Sequence, residues 1–505
     1  MTSAAFSSSR VARALASSVL SQAITVGQTY LLVPLFLAAW GGDGYGRWLS
    51  LTALASYLQL VDLGGQTYVG NRLAAAFAKN ESAEFRLILR RGFSVFLAVT
   101  LVAWSLVVLA ALLLPNTGWD LDSKLVVVIY STFIAIGVPG GVLVSCYAAT
   151  GRVVRGANVG NLVRIVTLGL CVTALALHAT QPVYAGVQLV YGMLATTAIV
   201  VDLRRQIPEL FPPRASWQAV GEAMPLLRES LPYWIFGLAG ALSLQGVLLV
   251  VSANASDATV AAYATHRSAA SLILYAGALL RPALWTELTF LAARKDYPRI
   301  RELVSIAVRS STWFAAVVGS AICLAAPFGY ALWTRSKLEL HVPLLVLLAV
   351  QATLSAAWSA AAWPLMSASQ PRSLARWTLL NAVLTVAGGY VCMRLGTGLI
   401  GLVAWSLAVD VVCGLIPFPL AAFAFMQGSA RSFFWDIARA ALCAAPFGLL
   451  AYLCLVSTAD NRLRLVGFGV GGLLLAWPSL RFLYGRDFER IQRSLRRALG
   501  GASAA

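Results

Sequence analysis

The sequence predicts an all-α polytopic membrane protein with about fourteen transmembrane helices. Of its 505 residues, 59% are hydrophobic and only 11% are charged, and the mean hydropathy is +0.77. Soluble domains are about 25% charged, so this composition is typical of a protein that lies mostly in the bilayer. A second observation, the distribution of lysine and arginine along the chain, supports both the number of helices and their orientation.

The apolar stretches are long enough to cross a bilayer, which takes about 20 residues per helix. The first stretch follows Arg10 and Arg13 and runs to Trp40, which is longer than the apolar part of a secretory signal, so it is predicted to be a membrane span. The predicted spans lie near 15–39, 48–70, 92–114, 124–150, 158–178, 182–202, 231–252, 260–291, 311–333, 342–366, 375–393, 398–426, 437–456 and 463–484.

Lysine and arginine are distributed unequally between the two predicted sides of the membrane. With the N-terminus inside, 29 of the 38 fall on the cytoplasmic side, seven fall outside, and Arg267 and Arg281 lie within a span. Cytoplasmic loops are enriched in lysine and arginine. An error in the number of spans would exchange the two sides for every later loop, and the unequal distribution would be lost. The distribution therefore predicts fourteen spans with both termini cytoplasmic, and it explains the net charge of +18 without a nucleic-acid partner.

The longest inner connection predicts the domain organisation. Residues 203–230 contain four prolines and a short amphipathic segment, and they separate six predicted spans in 1–202 from six in 231–430. Because six is even, the two halves are predicted to be parallel repeats. Residues 431–505 then contain two additional spans and a basic tail that is predicted to lie on the membrane surface.

Signatures of catalysis and of metal binding are missing from the sequence. The seven cysteines lie in apolar runs without a CxxC pair, and the three histidines are far apart along the chain. No GxSxG, HExxH or glycine-rich phosphate loop occurs. We therefore expect neither an enzyme nor a bound cofactor, apart from a coupling ion such as H⁺ or Na⁺.

Predicted span eight carries an unusual set of charges, His266, Arg267, Arg281 and Glu287. A charge at the centre of a membrane helix costs about 2.5–3.5 kcal/mol, so it needs water, a counter-charge or an anionic ligand. Guanidinium groups bind phosphate oxygens with paired hydrogen bonds, so Arg267 and Arg281, about 21 Å apart on a regular helix, are candidates for binding a pyrophosphate. The alternative is a structural salt bridge to an acid such as Glu287.

Two further acids lie deep in predicted spans. Asp62 shares one predicted helical face with Gln59 and Gln66, and Asp410 lies in span twelve. Low dielectric favours the protonated carboxyl, so Asp62 and Asp410 are candidates for binding a proton or a cation, unless they are structural partners that fix helix packing. Other polar or aromatic residues in the predicted spans could line a cavity and contact a sugar, although their side chains also suit ordinary hydrogen bonds between helices. These weaker candidates are Gln22, Thr25, Gln59, Gln66, Arg164, Tyr233, Gln245, His266, Gln351 and Trp358.

Two stretches resemble a known family of exporters. From Gly41 the chain reads GGDGYGRWLSLTALASYLQLVDLGGQTYVGNRLA, with a Gly-x-Tyr-Gly-x-Trp turn, an apolar run, Asp-Leu-Gly and Asn-Arg. From Tyr263 it reads YATHRSAASLILYAGALLRPALWTEL, with an early arginine, a proline followed by an aromatic residue, and an acid. These patterns resemble the polysaccharide flippases (O-antigen and exopolysaccharide) of the multidrug/oligosaccharidyl-lipid/polysaccharide exporter superfamily.

The resemblance implies two six-helix lobes around a central cavity, with two extra C-terminal helices. It also implies export of a polyprenyl-pyrophosphate-linked oligosaccharide or polysaccharide precursor across the bacterial inner membrane, coupled to H⁺, Na⁺ or membrane potential. Asp62 matches the acid of the second span in that family, and Arg267, Arg281 and Glu287 match the charges of the eighth. The implied partners are the lipid-linked glycan, membrane lipid and other polysaccharide-assembly proteins, and the chain is expected to act as a monomer.

Three alternatives stay open. The first is a multidrug antiporter of the same superfamily, although Arg267 and Arg281 would repel cationic drugs. The second is a lipid II flippase, although the arginine cluster expected in its first span is missing. The third is a membrane enzyme of glycan assembly, a polymerase or ligase, which would need a larger outer loop than the sequence contains.

Overall fold

Within the residues that it describes, the computed structural model consists of helices joined by turns and short connections, without strands. The described residues are 8–62, 65–113, 119–211, 215–222, 234–235, 237–278, 281, 284, 288, 291–292, 294–367, 372–457 and 460–485. They divide into two compact units. The N-unit comprises Met1–Tyr263 with Trp333–Leu338, and the C-unit comprises Ala264–Leu332 with Glu339–Ala505.

The helices of the N-unit follow the predicted apolar stretches closely. They are α1 (Ser8–Ser56), a 3₁₀ segment (Tyr57–Asp62), α2 (Gly65–Ala78), α3 (Ser82–Leu113), α4 (Leu121–Ala149), α5 (Val153–Ala176), α6 (Gln181–Gln206), α7 (Trp217–Glu222), a π-helical turn (Leu242–Gly246) and α8 (Val247–Asn254). Helices α2, α3, α4 and α6 enclose the main apolar core, whose largest buried side chains include Phe85, Phe96 and Tyr147.

Predicted spans one and two join at Gly41, where α1 changes direction. Gly41 has φ 73° and ψ −172°, which a residue without a side chain adopts most readily. The expected helical face over span two is also interrupted. The α-helix ends at Ser56, a 3₁₀ segment runs to Asp62, and α2 begins at Gly65. Gln59 and Gln66 therefore do not lie on one continuous helix.

The C-unit contains the predicted spans eight to fourteen. Its helices are α9 (Asp257–Gly277), which begins in the N-unit, α10 (Tyr297–Trp333), α11 (Val342–Ser367), α12 (Arg372–Arg394), α13 (Gly398–Asp410), a π-helical turn (Val411–Leu415), α14 (Pro417–Phe425), α15 (Arg431–Ser457) and α16 (Asn461–Tyr484). Helices α11, α12, α13 and α14 pack against one another, and α15 pairs with α16.

A polar seam attaches α15 and α16 to α10. Arg309 forms a largely buried ion pair with Asp436 (3.1 Å) and donates to the backbone oxygen of Leu483 (3.2 Å). The indole of Trp313 donates to Ser479 Oγ (2.7 Å). Because these contacts join three helices, the additional C-terminal pair is an integral part of the C-unit.

The described helices agree with the predicted number of spans. Eleven segments are long and apolar enough to cross a membrane, and one of them, Ala23–Asp62, covers both predicted spans on either side of Gly41. Helices α9 and α12 occupy the predicted spans eight and eleven. The chain is thus an all-helical, multi-pass membrane protein with about fourteen spans, as predicted.

Candidate functional site

The strongest polar constellation within the membrane-spanning region surrounds Asp410, the last residue of α13. Asp410 Oδ2 accepts hydrogen bonds from Gln351 Nε2 (2.7 Å) and from Ser355 Oγ (3.4 Å), both on α11. Asp410 Oδ1 accepts from Asn381 Nδ2 of α12 (2.8 Å). Three helices therefore converge on one carboxyl group, and two of the predicted candidates, Gln351 and Asp410, are brought together.

The Asp410 carboxyl is buried among neutral partners. Its residue is 8% exposed, and none of the described lysines, arginines or histidines forms an ion pair with it. An ionised carboxyl without a cation is expensive at such depth, because neutral hydrogen bonds offset only part of the lost hydration. The site is therefore suited to a bound proton or a small monovalent cation. The described residues contain no cluster of three metal-ligating side chains.

A local distortion follows Asp410 directly. Residues Val411–Leu415 form a π-helical turn, and such turns in α-helices are often found at functional sites. One turn from Ser355, the ring of Trp358 packs on Phe418 (centroids 4.8 Å apart). Its indole Nε1 is buried and has no hydrogen-bond acceptor among the described residues. Trp358 thus presents a buried donor next to the distorted helix.

His266 lies in a second buried network of the C-unit. Its Nε2 accepts the backbone N–H of His341 (3.0 Å), and its Nδ1 is 3.1 Å from the hydroxyl of Tyr330, which also contacts Thr265 Oγ1 (2.8 Å). A backbone N–H can only donate, so Nε2 carries no proton and His266 is neutral in this arrangement. Although the histidines are far apart in sequence, two of them meet here, with ring centroids 5.9 Å apart.

The charged residues of predicted span eight do not all lie on one regular helix. Arg267 lies in α9 and is half-buried, whereas Arg281 follows the end of α9 at Gly277 and has an exposed side chain. Glu287 lies outside the described residues. The two arginines therefore keep different degrees of solvent or lipid exposure, and their role in binding an anion stays a prediction.

In the N-unit, the amide of Gln66 joins α2 to α4. Asp62 Oδ1 accepts the backbone N–H of Gln66 (3.1 Å), and Gln66 Nε2 donates to the carbonyl oxygen of Val138 (3.0 Å). The amide lies directly on the bare backbone of Gly141, where a Cβ would be only 2.0 Å from Gln66 Oε1. Gln59 is exposed. Asp62 therefore lies at a helix junction, where its carboxyl caps the start of α2.

The other predicted polar residues of the N-unit are partly brought together. Arg164 Nη1 donates to Thr25 Oγ1 (3.3 Å), which links α5 to α1. Gln245 is half-buried and lies in the π-helical turn before α8. Tyr233 and the side chain of Gln22 lie outside the described residues.

Several buried or half-buried polar residues are absent from the sequence-based candidates. Asn381 completes the Asp410 site, and its only sequence signal is an isolated amide in an apolar run. Asp436 and Asp202 lie near helix ends, where sequence reasoning treats acids as solvated. The structure instead buries Asp436 against Arg309, and it places Asp202 against Tyr147 and Arg155.

Comparison with known proteins identifies the architecture. No family model and no curated protein sequence matches this chain. Among solved structures, an inward-facing multidrug resistance MATE family transporter of the MOP superfamily aligns over 81% of this chain and 96% of its own, with TM-score 0.60 and 16% identity. The lipid II flippase MurJ in its inward closed conformation aligns over 93% of this chain and 98% of its own, with TM-score 0.64 and 12% identity.

The chain has the MATE/MurJ fold. A third structure, a MATE protein in complex with MaD3S, supports the same conclusion with TM-score 0.57, 14% identity and coverage of 83% of this chain and 96% of that one. At these identities the similarity establishes the fold alone. It confirms the fold that the sequence patterns predicted.

Proposed function

We propose that this protein is a flippase that moves a polyprenyl-pyrophosphate-linked oligosaccharide or polysaccharide precursor across the bacterial inner membrane by alternating access. The observation that carries the proposal is the extent of the structural similarity. The MurJ structure aligns over 93% of this chain, whereas the MATE structures align over 81–83%. The more complete alignment with the lipid II flippase supports a lipid-linked substrate over a small drug.

The charges of span eight support an anionic headgroup. Arg267 and Arg281 keep a positive charge at any physiological pH, and each can donate paired hydrogen bonds to phosphate oxygens. Cationic drugs would be repelled by the same two groups. In the proposed mechanism these arginines hold the pyrophosphate, and the prenyl chain stays in the lipid.

Asp410 is proposed as the coupling site. A carboxyl group held by Gln351, Asn381 and Ser355 from two neighbouring helices changes its hydrogen bonding when it gains a proton or a cation. Protonation would convert one acceptor oxygen into a donor, which opposes the amide donor facing it. The helices α11, α12 and α13 would then repack, which gives ion binding a direct effect on conformation.

The described part of the linker is hydrogen-bonded to α3. Arg91 of α3 donates from Nε (2.9 Å) and Nη2 (2.7 Å) to Glu222 Oε2, and the backbone N–H of Ser216 donates to Ser94 Oγ (3.0 Å). These bonds hold the linker against α3 at Ser216 and at Glu222.

Reconstitution into proteoliposomes tests the proposal. The purified chain is expected to move a fluorescent polyprenyl-pyrophosphate-linked oligosaccharide between leaflets, and Arg267→Ala with Arg281→Ala is expected to slow this movement at least tenfold. Arg299→Ala is the matched control, because Arg299 is an exposed arginine at the start of α10. Normal flipping by the double variant would contradict the arginine role. Efflux of a cationic dye without glycan flipping would contradict the proposed substrate.

A multidrug antiporter is the second candidate, since MATE structures align with TM-scores up to 0.60. The same assay distinguishes the two by substrate. An enzyme of glycan assembly is less well supported, because the described connections on the predicted outer side are short. The longest of them, Thr334–His341, has eight residues.

A further inference from the structure

A basic pocket lies where α4 ends, α5 begins and α6 ends, well apart in sequence from the proposed substrate and coupling residues. Its volume is about 600 Å³, and it is open to the outside of the helix bundle. The lining residues are Gly151, Arg152, Val154, Arg155, Asn158, Val159, Leu162 and Gln206. The pocket thus combines two guanidinium groups, two amides and aliphatic side chains.

One of the two arginines is held in a fixed orientation. Arg155 donates to Asp202 of α6 through Nε (3.0 Å to each oxygen) and through Nη2 (2.7 Å to Oδ1). The hydroxyl of Tyr147, a fully buried residue of α4, donates to Asp202 Oδ2 (2.8 Å) and so also holds this carboxylate in place. These bonds use one edge of the guanidinium, and Nη1 has no hydrogen-bond acceptor among the described residues. A fixed donor loses little conformational entropy when it binds a ligand.

The charge at these helix ends favours an anion. Arg152, Arg155, Arg204 and Arg205 contribute four positive charges, and Asp202 contributes one negative charge. The net charge of these five residues is therefore +3. Asp202 forms an ion pair with Arg155 and not with Arg152, so Arg152 keeps its attraction for a phosphate group in the pocket.

The surface of α5 that continues from the pocket is apolar and uncovered. Leu162, which lines the pocket, is 65% exposed, and Ile165 and Val166 on the next turn are 54% and 51% exposed. In a multi-pass membrane protein such side chains face lipid tails. The pocket therefore lies at the point where a basic helix end meets a lipid-facing apolar surface.

We propose that this pocket binds the headgroup phosphate of an anionic phospholipid, with its acyl chains along Leu162, Ile165 and Val166 of α5. Arg152 and the free edge of Arg155 hold the phosphate, and the amides of Asn158 and Gln206 contact the polar part of the headgroup. Guanidinium groups are suited to phosphate because they donate paired hydrogen bonds. The neighbouring apolar surface selects a lipid over a free anion. This site is independent of the transported substrate.

Binding of lipid to the purified full-length chain in neutral detergent tests the proposal. Native mass spectrometry and thermal unfolding are measured with phosphatidylglycerol, with phosphatidylcholine and with inorganic phosphate. The wild-type chain is expected to retain phosphatidylglycerol and to unfold at a higher temperature with it than with the other two. Arg152→Ala is expected to weaken this binding about tenfold, the loss typical of one charge-assisted hydrogen bond.

Arg204→Ala is the matched control, because it removes the same charge from an exposed position that does not line the pocket. It is expected to change the affinity less than threefold. Arg155 is replaced only by lysine, since loss of its charge would leave Asp202 without its ionic partner. Equal losses in Arg152→Ala and Arg204→Ala would overturn the proposal in favour of diffuse attraction. Equal stabilisation by inorganic phosphate, or no preference for phosphatidylglycerol over phosphatidylcholine, would overturn it as well.

Discussion

Replacement of Asp410 separates a coupling role from a structural one. The ionised carboxyl accepts two short hydrogen bonds, from Gln351 and Asn381, and one long one from Ser355. Each bond to a charged group contributes about 1.5–3 kcal/mol, so the two short bonds supply about 3–6 kcal/mol. The desolvation of a buried carboxylate costs several kcal/mol, so the two effects nearly cancel.

Asp410→Asn is therefore expected to change the free energy of unfolding by less than about 2 kcal/mol, because it removes the bonds to a charge together with the desolvation cost. One oxygen remains for Asn381, and the amide of Gln351 can turn to present its own oxygen. Asp410→Ala instead leaves the amide groups of Gln351 and Asn381 without an acceptor, which costs about 1–3 kcal/mol for each. It is expected to lower stability clearly.

The assay combines thermal unfolding in detergent with transport in proteoliposomes under an imposed pH or Na⁺ gradient. Asp410→Asn is expected to unfold near the wild-type temperature and to lose the dependence of transport on the gradient. Ser359→Ala, on the same face of α11 as Ser355, serves as the control and is expected to leave both measurements unchanged. Transport by Asp410→Asn that still follows the gradient at the wild-type rate would refute the coupling role. A large loss of stability in that variant would refute the energy balance.

Three further predictions concern stability. Hydrogen bonds from Ser123 at the start of α4 hold the pKa of Asp120 below its usual value. An N-cap stabilises by about 1 kcal/mol, and this contribution is fully present above pH ~4 and is lost as the pH falls through the lowered pKa. The difference in the free energy of unfolding between wild type and Asp120→Ala should therefore be larger at pH 7 than at pH 3. Arg309→Ala should lower the free energy of unfolding by about 3–5 kcal/mol, because it leaves Asp436 buried without its ion-pair partner. Replacement of both residues by apolar ones should bring the unfolding temperature most of the way back to the wild-type value. Gly141→Ala should destabilise the N-unit by about 1–3 kcal/mol, because the new methyl group overlaps the amide side chain that joins α2 to α4; Gly137→Ala, where the space is open, should not.

Much of the fold could be predicted from the sequence because the bilayer imposes simple rules. A membrane helix must be long and apolar, and the lysine and arginine count assigns its direction. These local properties were sufficient for an all-helical chain with about fourteen spans. They failed where the backbone departs from a regular helix. The 3₁₀ segment before α2 and the π-helical turn after Asp410 both lie inside predicted spans, where hydropathy does not mark a change of backbone geometry.

The candidate sites show the same division. Asp62, His266 and Asp410 stood out in the sequence because a polar group in an apolar run is costly wherever it points. Which partner satisfies each group is a property of helix packing. Gln351 lies 59 residues from Asp410, and His341 lies 75 residues from His266. Sequence alone therefore determined that these groups need partners, and only the tertiary structure decided which ones they have, because hydrogen bonds form between atoms close in space rather than along the chain.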